Sequence, residues 1–449
     1  MRFFKAVSLT AALVYAAVPL YGQTVNLTLD QAKQAALERN ISIIQADANV
    51  GSAQAGVTAA YGGYLPTVTA SGSWSRDQVD QAARTAVFGG LSFPLAASRS
   101  TTSNFNTGIN ASMTLFDGFN RQGQVGQATS RSVSTEQIAL RTRQTTVFNV
   151  ESSYLNVLRN NELVKVADEN LKRDNRQLER ITESARVGAA AQADVYRQQS
   201  TVAADEFLLI QSQSTFDKSK ADLVDLIGLD VAGEYSFSDP SISLTVSQGE
   251  LDSTAALFAN FRDLQQRSLA SRPDYRSAQE SFNAAQSGVT SAKSNYWPSL
   301  SASAGYGLSS NEWATLKDNR NLNWGINLRW TLFDGFNTNA GVQSAVASRR
   351  IAEIGLTQAE RDINSQLKKA LLDFEAARKQ YEVSQKGLKS ATEDRKIAEE
   401  KYNLGAGTLL DLLTANAGLV QAQVNLVNSV YNYITAKKNV EYTIGERAY

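Results

Sequence analysis

Two hydrophobic periods divide this chain. Over most of its length the apolar side chains recur at alternating four- and three-residue steps: Ile363, Leu367, Ala370, Phe374, Ala377 and Tyr381, continuing through Ser384, Leu388, Ala391, Arg395 and Ala398 to Tyr402. A period of about 3.5 residues is the seam of a coiled coil. A more polar stripe of the same spacing runs from Thr146 and Val150 through Asn160, Ala167, Asp174 and Ile181 to Ala185. Many of these knobs are small or polar, so the spacing predicts a looser seam than a two-stranded zipper. No proline interrupts residues 121–186, and one continuous helix there would measure roughly 100 Å at about 1.5 Å per residue. The second period is two. Trp324, Ile326, Leu328, Trp330 and Leu332 alternate with Gly325, Asn327, Arg329 and Thr331, and Ile109, Ala111, Met113 and Leu115 alternate with Asn110, Ser112 and Thr114. Such segments are strands with one apolar and one polar face. A partner strand precedes each, from Pro66 to about residue 75 and from Pro298 to about residue 308, which gives two hairpins with strands of about 9 to 11 residues, the length that crosses a bilayer when tilted.

The two hairpins are copies. Thr-Leu-Phe-Asp-Gly-Phe-Asn occurs at Thr114–Asn120 and again at Thr331–Asn337, 217 positions on (331 − 114). The same offset carries Gly188, Asp194 and Gly228 onto Gly405, Asp411 and Gly445, and preserves the apolar face of the strands. Upstream, Leu65-Pro66 corresponds to Trp297-Pro298 at an offset of 232 (298 − 66), so the first copy carries 15 more residues (232 − 217) between Pro66 and Thr114. An insertion tolerated at one place marks a loop. The organisation expected is therefore a leader over residues 1–22, a first repeat over 23–228 with its hairpin at about 65–116, a linker over 229–263, and a second repeat over 264–449 with its hairpin at about 298–333. The linker changes character, with Pro240 and an alternating run from Ser241 to Val246.

Charge and composition narrow the function. With 44 basic and 44 acidic side chains, the chain has no excess positive charge with which to hold nucleic acid through counterion release. It has no cysteine and no histidine, which removes thiolate nucleophiles, disulfides, imidazole bases and the commonest transition-metal ligands. The acids lie scattered over polar helix faces, and no Gly-x-x-x-x-Gly-Lys-Ser/Thr loop is present. Neither enzymatic activity, a cofactor nor a metal site is expected.

Met-Arg-Phe-Phe-Lys followed by an apolar run from Ala6 to Leu20 and small or polar residues around Gly22 has the layout of a secretory signal. As a transmembrane anchor the run is short of the about 20 apolar residues required. All five tryptophans, Trp74, Trp297, Trp313, Trp324 and Trp330, sit in or beside the hairpins, as residues at a membrane interface do. Packing of the hairpins on a soluble core is the alternative, yet no other segment offers them an apolar partner. In lipid, four strands leave open edges whose unpaired backbone groups are costly. Copies must therefore share a barrel, and three copies, with twelve strands, leave room for an aqueous lumen.

The leader, the duplicated helix–hairpin–helix unit, Leu-Pro or Trp-Pro where each hairpin starts and Leu-Phe-Asp-Gly-Phe where each ends resemble the TolC-type outer-membrane efflux proteins, the outer membrane factors. The resemblance covers nearly the whole chain after the leader. It implies a mainly α fold with a membrane β-barrel portion: a homotrimer in which four strands per chain form a shared twelve-stranded barrel, continued by a long α-helical coiled-coil tunnel through the periplasm. It also implies an outer-membrane exit duct, extending into the periplasm and serving a tripartite efflux or type I secretion system. The partners would be outer-membrane lipid, a periplasmic adaptor and an inner-membrane RND- or ABC-type transporter.

The residues themselves supply simpler roles for the joints. Asp117 and Asp334 can cap the following helix, Gly118 and Gly335 allow the chain to turn, and Pro66 and Pro298 suit a change from helix to strand. At the far ends, Val187-Gly188 and Leu404-Gly405 open the helix-to-helix turns at about 187–193 and 404–409, and Asp194 and Asp411 follow where an acid complements the helix dipole. The resemblance makes these turns the periplasmic tips at which an adaptor docks. It assigns a constriction to Asp411 with Leu410 beside it; the family's second acid is Thr414 here. It assigns tip closure to Asp194 and Tyr402; the family's Arg is Gly407 here, which leaves the closed state either weaker or held by apolar residues such as Leu410 and Leu413. A structural or adhesive coiled-coil protein spanning the envelope is the competing reading, and it leaves the paired hairpins unexplained.

Overall fold

The computed structural model describes residues 25–239, 242 and 245–446. The leader expected over residues 1–22, Pro240 and Ser241 of the linker, and Tyr449 lie outside the described residues. In chain order, β1 (Val25–Leu27), α1 (Leu29–Arg39) and α2 (Ile41–Gly62) lead into β2 (Thr67–Gln81), β3 (Arg84–Phe88), β4 (Leu91–Leu95) and β5 (Ser98–Phe116). There follow α3 (Asn120–Arg186), α4 (Gln192–Leu226), β6 (Tyr235–Phe237), α5 (Gln248–Leu257), α6 (Phe261–Ser271) and α7 (Pro273–Lys293). The second hairpin, β7 (Ser299–Ser310) and β8 (Arg320–Arg329), precedes α8 (Asn337–Asn403) and α9 (Leu409–Ile444). Packing divides the chain into two compact units.

One unit comprises Ser42–Thr145, Phe258–Leu371 and the residues from Val440 onward. Its sheet has the order β2-β5-β7-β8, antiparallel throughout, with β2 and β8 as edges. The register shows the duplication: Thr67 faces Ser112 in the first hairpin, and their counterparts Ser299 and Arg329 face each other in the second. Val68, Ala70 and Trp74 share a face with Ile109, Tyr306, Trp324 and Ile326, whereas Ser71, Ser73, Asn110, Ser303 and Asn327 share the other. The apolar face is bare in the single chain, with Trp324 81% exposed. Large apolar side chains so exposed belong against lipid or protein.

Both long helices have 67 residues and start from identical joints. Gly118 and Phe119 are both left-handed (φ 65° and 73°), as are Gly335 and Phe336 (65° and 69°). A phenylalanine there sacrifices about 1–2 kcal/mol, which its edge-to-face contact helps to offset: Phe119 packs on Phe116 at 5.6 Å and Phe336 on Phe333 at 5.7 Å. Both acids accept from the first turn of the helix that follows. Asp117 Oδ2 accepts from Arg121 N at 3.1 Å and Asp334 Oδ2 from Thr338 N at 2.7 Å. Pro66 and Pro298 immediately precede β2 and β7. Lower in this unit, Ser134 of α3 bonds Ser277 and Ser281 of α7 at 2.8 and 3.1 Å, and Arg141 covers the Tyr442 ring at 4.1 Å.

The strands correct the expected lengths. β2 has 15 residues and β5 has 19, because the first hairpin continues outward, with Gln81 still facing Ser98. The inserted residues add a second, smaller hairpin, β3–β4, turned at Gly89-Gly90 with φ of 58° and 82°. Two positive φ values in a two-residue loop match the twist of the flanking strands. In the second copy the strand stops at Arg329, although the apolar alternation runs to Leu332.

The other unit comprises the residues up to Ile41, Thr146–Leu257 and Leu372–Asn439. Here β1 and β6 pair in parallel, Leu27 opposite Phe237. Tyr154, Leu155, Leu223, Ile227 and Ala36 form the core beneath them, and Tyr154 donates to Leu27 O at 2.8 Å. The linker region thus contributes β6 and α5, and Val246 N donates to the buried Tyr381 hydroxyl at 2.9 Å. The predicted seams are the buried stripes. Ile363, Leu367, Ala370, Phe374, Ala377 and Tyr381 are all buried, and beyond them Leu388, Arg395 and Tyr402 are half-buried. Among the described residues no helix is long and apolar enough to cross a membrane.

Candidate functional site

The turns α3–α4 and α8–α9 lie in one unit and share a backbone device. Ala189 N donates to Ser184 O at 2.8 Å and Gly188 N to Ala185 O at 3.1 Å; in the second copy Ala406 N donates to Lys401 O at 2.9 Å and Gly405 N to Tyr402 O at 3.1 Å. This paired bonding around a left-handed residue is the Schellman motif, and Gly188 and Gly405 supply it at φ of 80° and 73°. Val187 and Leu404, just before these glycines, are 64% and 83% exposed.

The returning helices start differently. In the second copy Thr408 N donates to Asp411 Oδ2 at 3.0 Å while Asp411 N donates to Thr408 Oγ1 at 3.2 Å. This reciprocal pair is a capping box with aspartate as the acid. The same Thr408 bonds hold the exposed Asp411 carboxyl below the usual carboxylate range. Position 408 corresponds to Ala191 in the first copy, which has no side-chain cap. Asp194 therefore turns to Arg197, whose Nη1 donates to it at 2.8 Å. Leu410, Asp411 and Thr414 are all exposed on the single chain, and Thr414 Oγ1 donates back to Leu410 O at 2.8 Å.

Asp194 and Tyr402 line one groove with Arg180 and Gly407. Burial raises the Tyr402 hydroxyl pKa, the Asp194 charge raises it further, and Arg180 opposes both. What joins the turns is chiefly apolar: Leu409 packs with Ile181 and Val195, and Leu413 and Tyr402 rest on that cluster. Leu410 is 61% exposed on the single chain, because it points about 100° away from the buried Leu409 on the same helix. A side chain at Gly407 would meet Lys401, whose Cβ lies 3.1 Å from an added Cβ.

Above the apolar cluster lies a buried polar layer. Asp174 of α3 is 2% exposed and Asp205 of α4 is 9% exposed. Asn170 Nδ2 donates to Asp205 Oδ1 at 2.7 Å, Asn416 Nδ2 of α9 donates to Asp174 Oδ1 at 3.4 Å, and Asp205 Oδ2 has no hydrogen-bond partner. Burial, then the Asp174 carboxyl beside it, pushes the Asp205 pKa up to about 7. Two close carboxyls in low dielectric cannot both ionise cheaply. Arg395 extends the layer, donating to Asn416 Oδ1 at 3.1 Å and pairing with Glu399 at 2.9 Å, which Arg180 also approaches at 3.5 Å. Asp174 was visible as an acid on a coiled-coil seam; Asp205 carries no local signal.

The family model described as "Outer membrane efflux protein" matches residues 32–229 and 264–446. Among curated proteins, the chain is similar to the probable efflux pump outer membrane protein TtgC of Pseudomonas putida, 24% identical over 422 residues, 93% of this chain and 82% of that protein. It is also similar to the outer membrane efflux protein BepC of Brucella suis, 22% identical over 443 residues, 97% of this chain and 90% of that one. Among solved structures, the outer membrane protein VceC of Vibrio cholerae superposes with a TM-score of 0.77 at 19% identity, covering 93% of this chain and 96% of that one. The CmeC outer membrane channel of Campylobacter jejuni gives 0.76 at 19% identity, covering 93% and 85%.

Proposed function

Because this chain belongs to the outer membrane efflux protein family, we propose that it is the exit duct of a tripartite export system. Three copies share the barrel, and a periplasmic adaptor and an inner-membrane RND- or ABC-type transporter deliver the substrate. The observation that carries this reading is the bare four-stranded sheet with two open edges, apolar on one face and polar on the other. Lipid takes the first face and a water-filled lumen the second, and the edges require further copies. The chain supplies no energy of its own; it conducts what the pump delivers.

The turns α3–α4 and α8–α9 are the periplasmic end. Val187, Gly188, Leu404 and Gly405 present it to the adaptor. Asp411 supplies one acid per copy to the constriction, with Leu410 and Thr414 on the same exposed turn, and close like charges around a narrow pore favour cations. Asp194 and Tyr402 contribute to closure beside the apolar cluster of Leu409, Ile181 and Val195. Since Asp411 also caps its own helix, charge and cap must be tested apart. Single channels in planar bilayers should lose cation preference in Asp411→Asn, which keeps an acceptor for Thr408 while removing the charge. Unchanged conductance and selectivity would remove Asp411 from the constriction.

A further inference from the structure

The hairpin inserted in the first repeat is apolar where its surroundings are polar. At the end of the sheet away from the helical joints, beyond Trp74 and Phe105, Arg76, Asp77, Gln78 and Asp80 face Ser103, Thr102, Thr101 and Arg99. Asp80 and Arg99 form an ion pair at 2.6 Å. Past this polar stalk the chain changes character, and residues 82–97 include a single charged side chain, Arg84. Across β3–β4, Ala86 faces Phe93 and Phe88 faces Leu91, with Leu95 at the base of the same face beside Arg84; Thr85, Val87, Ser92 and Pro94 share the other. Phe88 is 83% exposed, and Leu91 and Phe93 are exposed with it. β3 and β4 form a sheet of two strands only, which is marginal in water unless an apolar face is covered.

Lipid is out of reach of this face. Seven residues lead from Trp74 to Gln81 (81 − 74), about 23 Å of polar strand between an interfacial aromatic and the hairpin. A separate protein would find too little to hold: the face measures about 17 Å by 10 Å, well short of the about 500 Å² a side that a specific interface buries. Copies standing on one rim need less, because the barrel holds them at high effective concentration. The reach is also sufficient. Twelve strands about 4.8 Å apart and tilted about 40° make a ring of about 75 Å, about 12 Å from rim to axis, and a five-residue strand spans about 17 Å. β2 is an edge of the sheet, so β3 leaves the barrel beside the seam between copies. The β7–β8 connection, residues 311–319, carries no such extension, which puts three hairpins around the mouth.

We propose that the three β3–β4 hairpins lean over the mouth of the barrel, cover one another's apolar faces and seal the duct from outside. This rests on the shared-barrel reading above and adds to it a second barrier, at the end opposite the periplasmic tips. The turn at Gly89-Gly90 keeps each hairpin stiff, while Ala82-Ala83 and Ala96-Ala97 lie between its ladder and that of the stalk and form the hinge. Outgoing substrate parts the hairpins by bending these four alanines; solutes outside meet an apolar plug closed by tethered contacts too small to hold once pushed from within.

Because the chain has no cysteine, single cysteines report without background. Asn110→Cys stands on the polar face of β5, inside the duct. A bulky, membrane-impermeant maleimide added to intact cells should label it at least about tenfold faster once Phe88→Ser and Phe93→Ser are introduced, or once residues 82–97 are replaced by an Asn-Gly turn. The double-serine variant keeps the hairpin, so the test survives if the shortened chain assembles poorly. Equal labelling in all three overturns the seal. Phe93 and Ser92 are neighbours on opposite faces. A short bis-maleimide should link Phe93→Cys into dimers between copies in preference to Ser92→Cys. Linking of Ser92→Cys as fast as Phe93→Cys overturns the covered face. So does a Phe93→Cys that stays unlinked yet shielded from the maleimide, which would give the face to lipid or to another protein. If these results fail while the protein runs as a trimer, the seal falls and the shared barrel stands; a stable monomer in detergent overturns both.

Discussion

Asp205 carries a carboxyl whose buried environment opposes its charge. Its carboxyl sits in the buried layer with Asp174 and Asn170 of α3 and Asn416 of α9, beside the half-buried Arg173 of α3 and Arg395 of α8 and with exposed Glu169 at the margin, and its pKa rises from 3.8 to about 7. The sign follows from linkage. Between these values the unfolded chain has released the proton and the folded one retains it, so stability falls as pH rises from about 4 to about 7 and levels off above. Below the unfolded value the penalty is absent. The tip helices of the detergent-extracted protein should therefore resist heat and protease better at pH 5.5 than at pH 8. Asp205→Asn should raise resistance at pH 8 and remove most of that difference. An unchanged profile in the variant would assign the pH dependence to another group.

Elements were legible from the sequence to different depths, for physical reasons. The long helices declared themselves because the seam repeats over many turns, and the burial of Leu367, Phe374 and Tyr381 follows it. The heptapeptide located both joints because left-handed Gly118 and Gly335 and the capping acids admit few substitutes. Strand ends were less legible. β8, an edge strand, stops at Arg329 although the apolar alternation runs on to Leu332, and β2 and β5 lengthen through Ser, Thr, Asn and Arg residues with no apolar alternation to mark them. At the tip, Thr408 three residues before Asp411 already spells a capping box in the sequence, and the structure shows both of its bonds. The buried pair escaped because Asp174 and Asp205 lie 31 positions apart (205 − 174) on different helices. The sequence marks the β3–β4 hairpin only as an insertion. Because Gln81 already faces Ser98, residues 82–97 can be replaced by Asn-Gly, which closes a two-residue hairpin. The shortened protein should assemble in the outer membrane in unchanged yield; a loss of assembly on heat-modifiability gels would make β3–β4 part of the barrel's folding unit.

At the scale of the whole molecule, the two faces of the sheet must meet different solvents. Ile326 and Asn327 are adjacent in β8 and comparable in backbone setting, so they isolate the face from the position. On the apolar face, Ile326→Arg places a cation against hydrocarbon, at about 2–4 kcal/mol per copy near the midplane, and the assembly carries that penalty in every copy. Insertion should fail, leaving the protein unassembled and sensitive to protease. On the polar face, Asn327→Lys adds the same charge to a water-filled lumen, where solvation is retained. That variant should assemble normally and shift the channel's ion preference toward anions in planar bilayers. Equal tolerance of the two substitutions would place both faces in water and favour an envelope-spanning coiled-coil protein with soluble hairpins, whereas opposite outcomes require that one surface of four strands faces lipid while the other lines a duct.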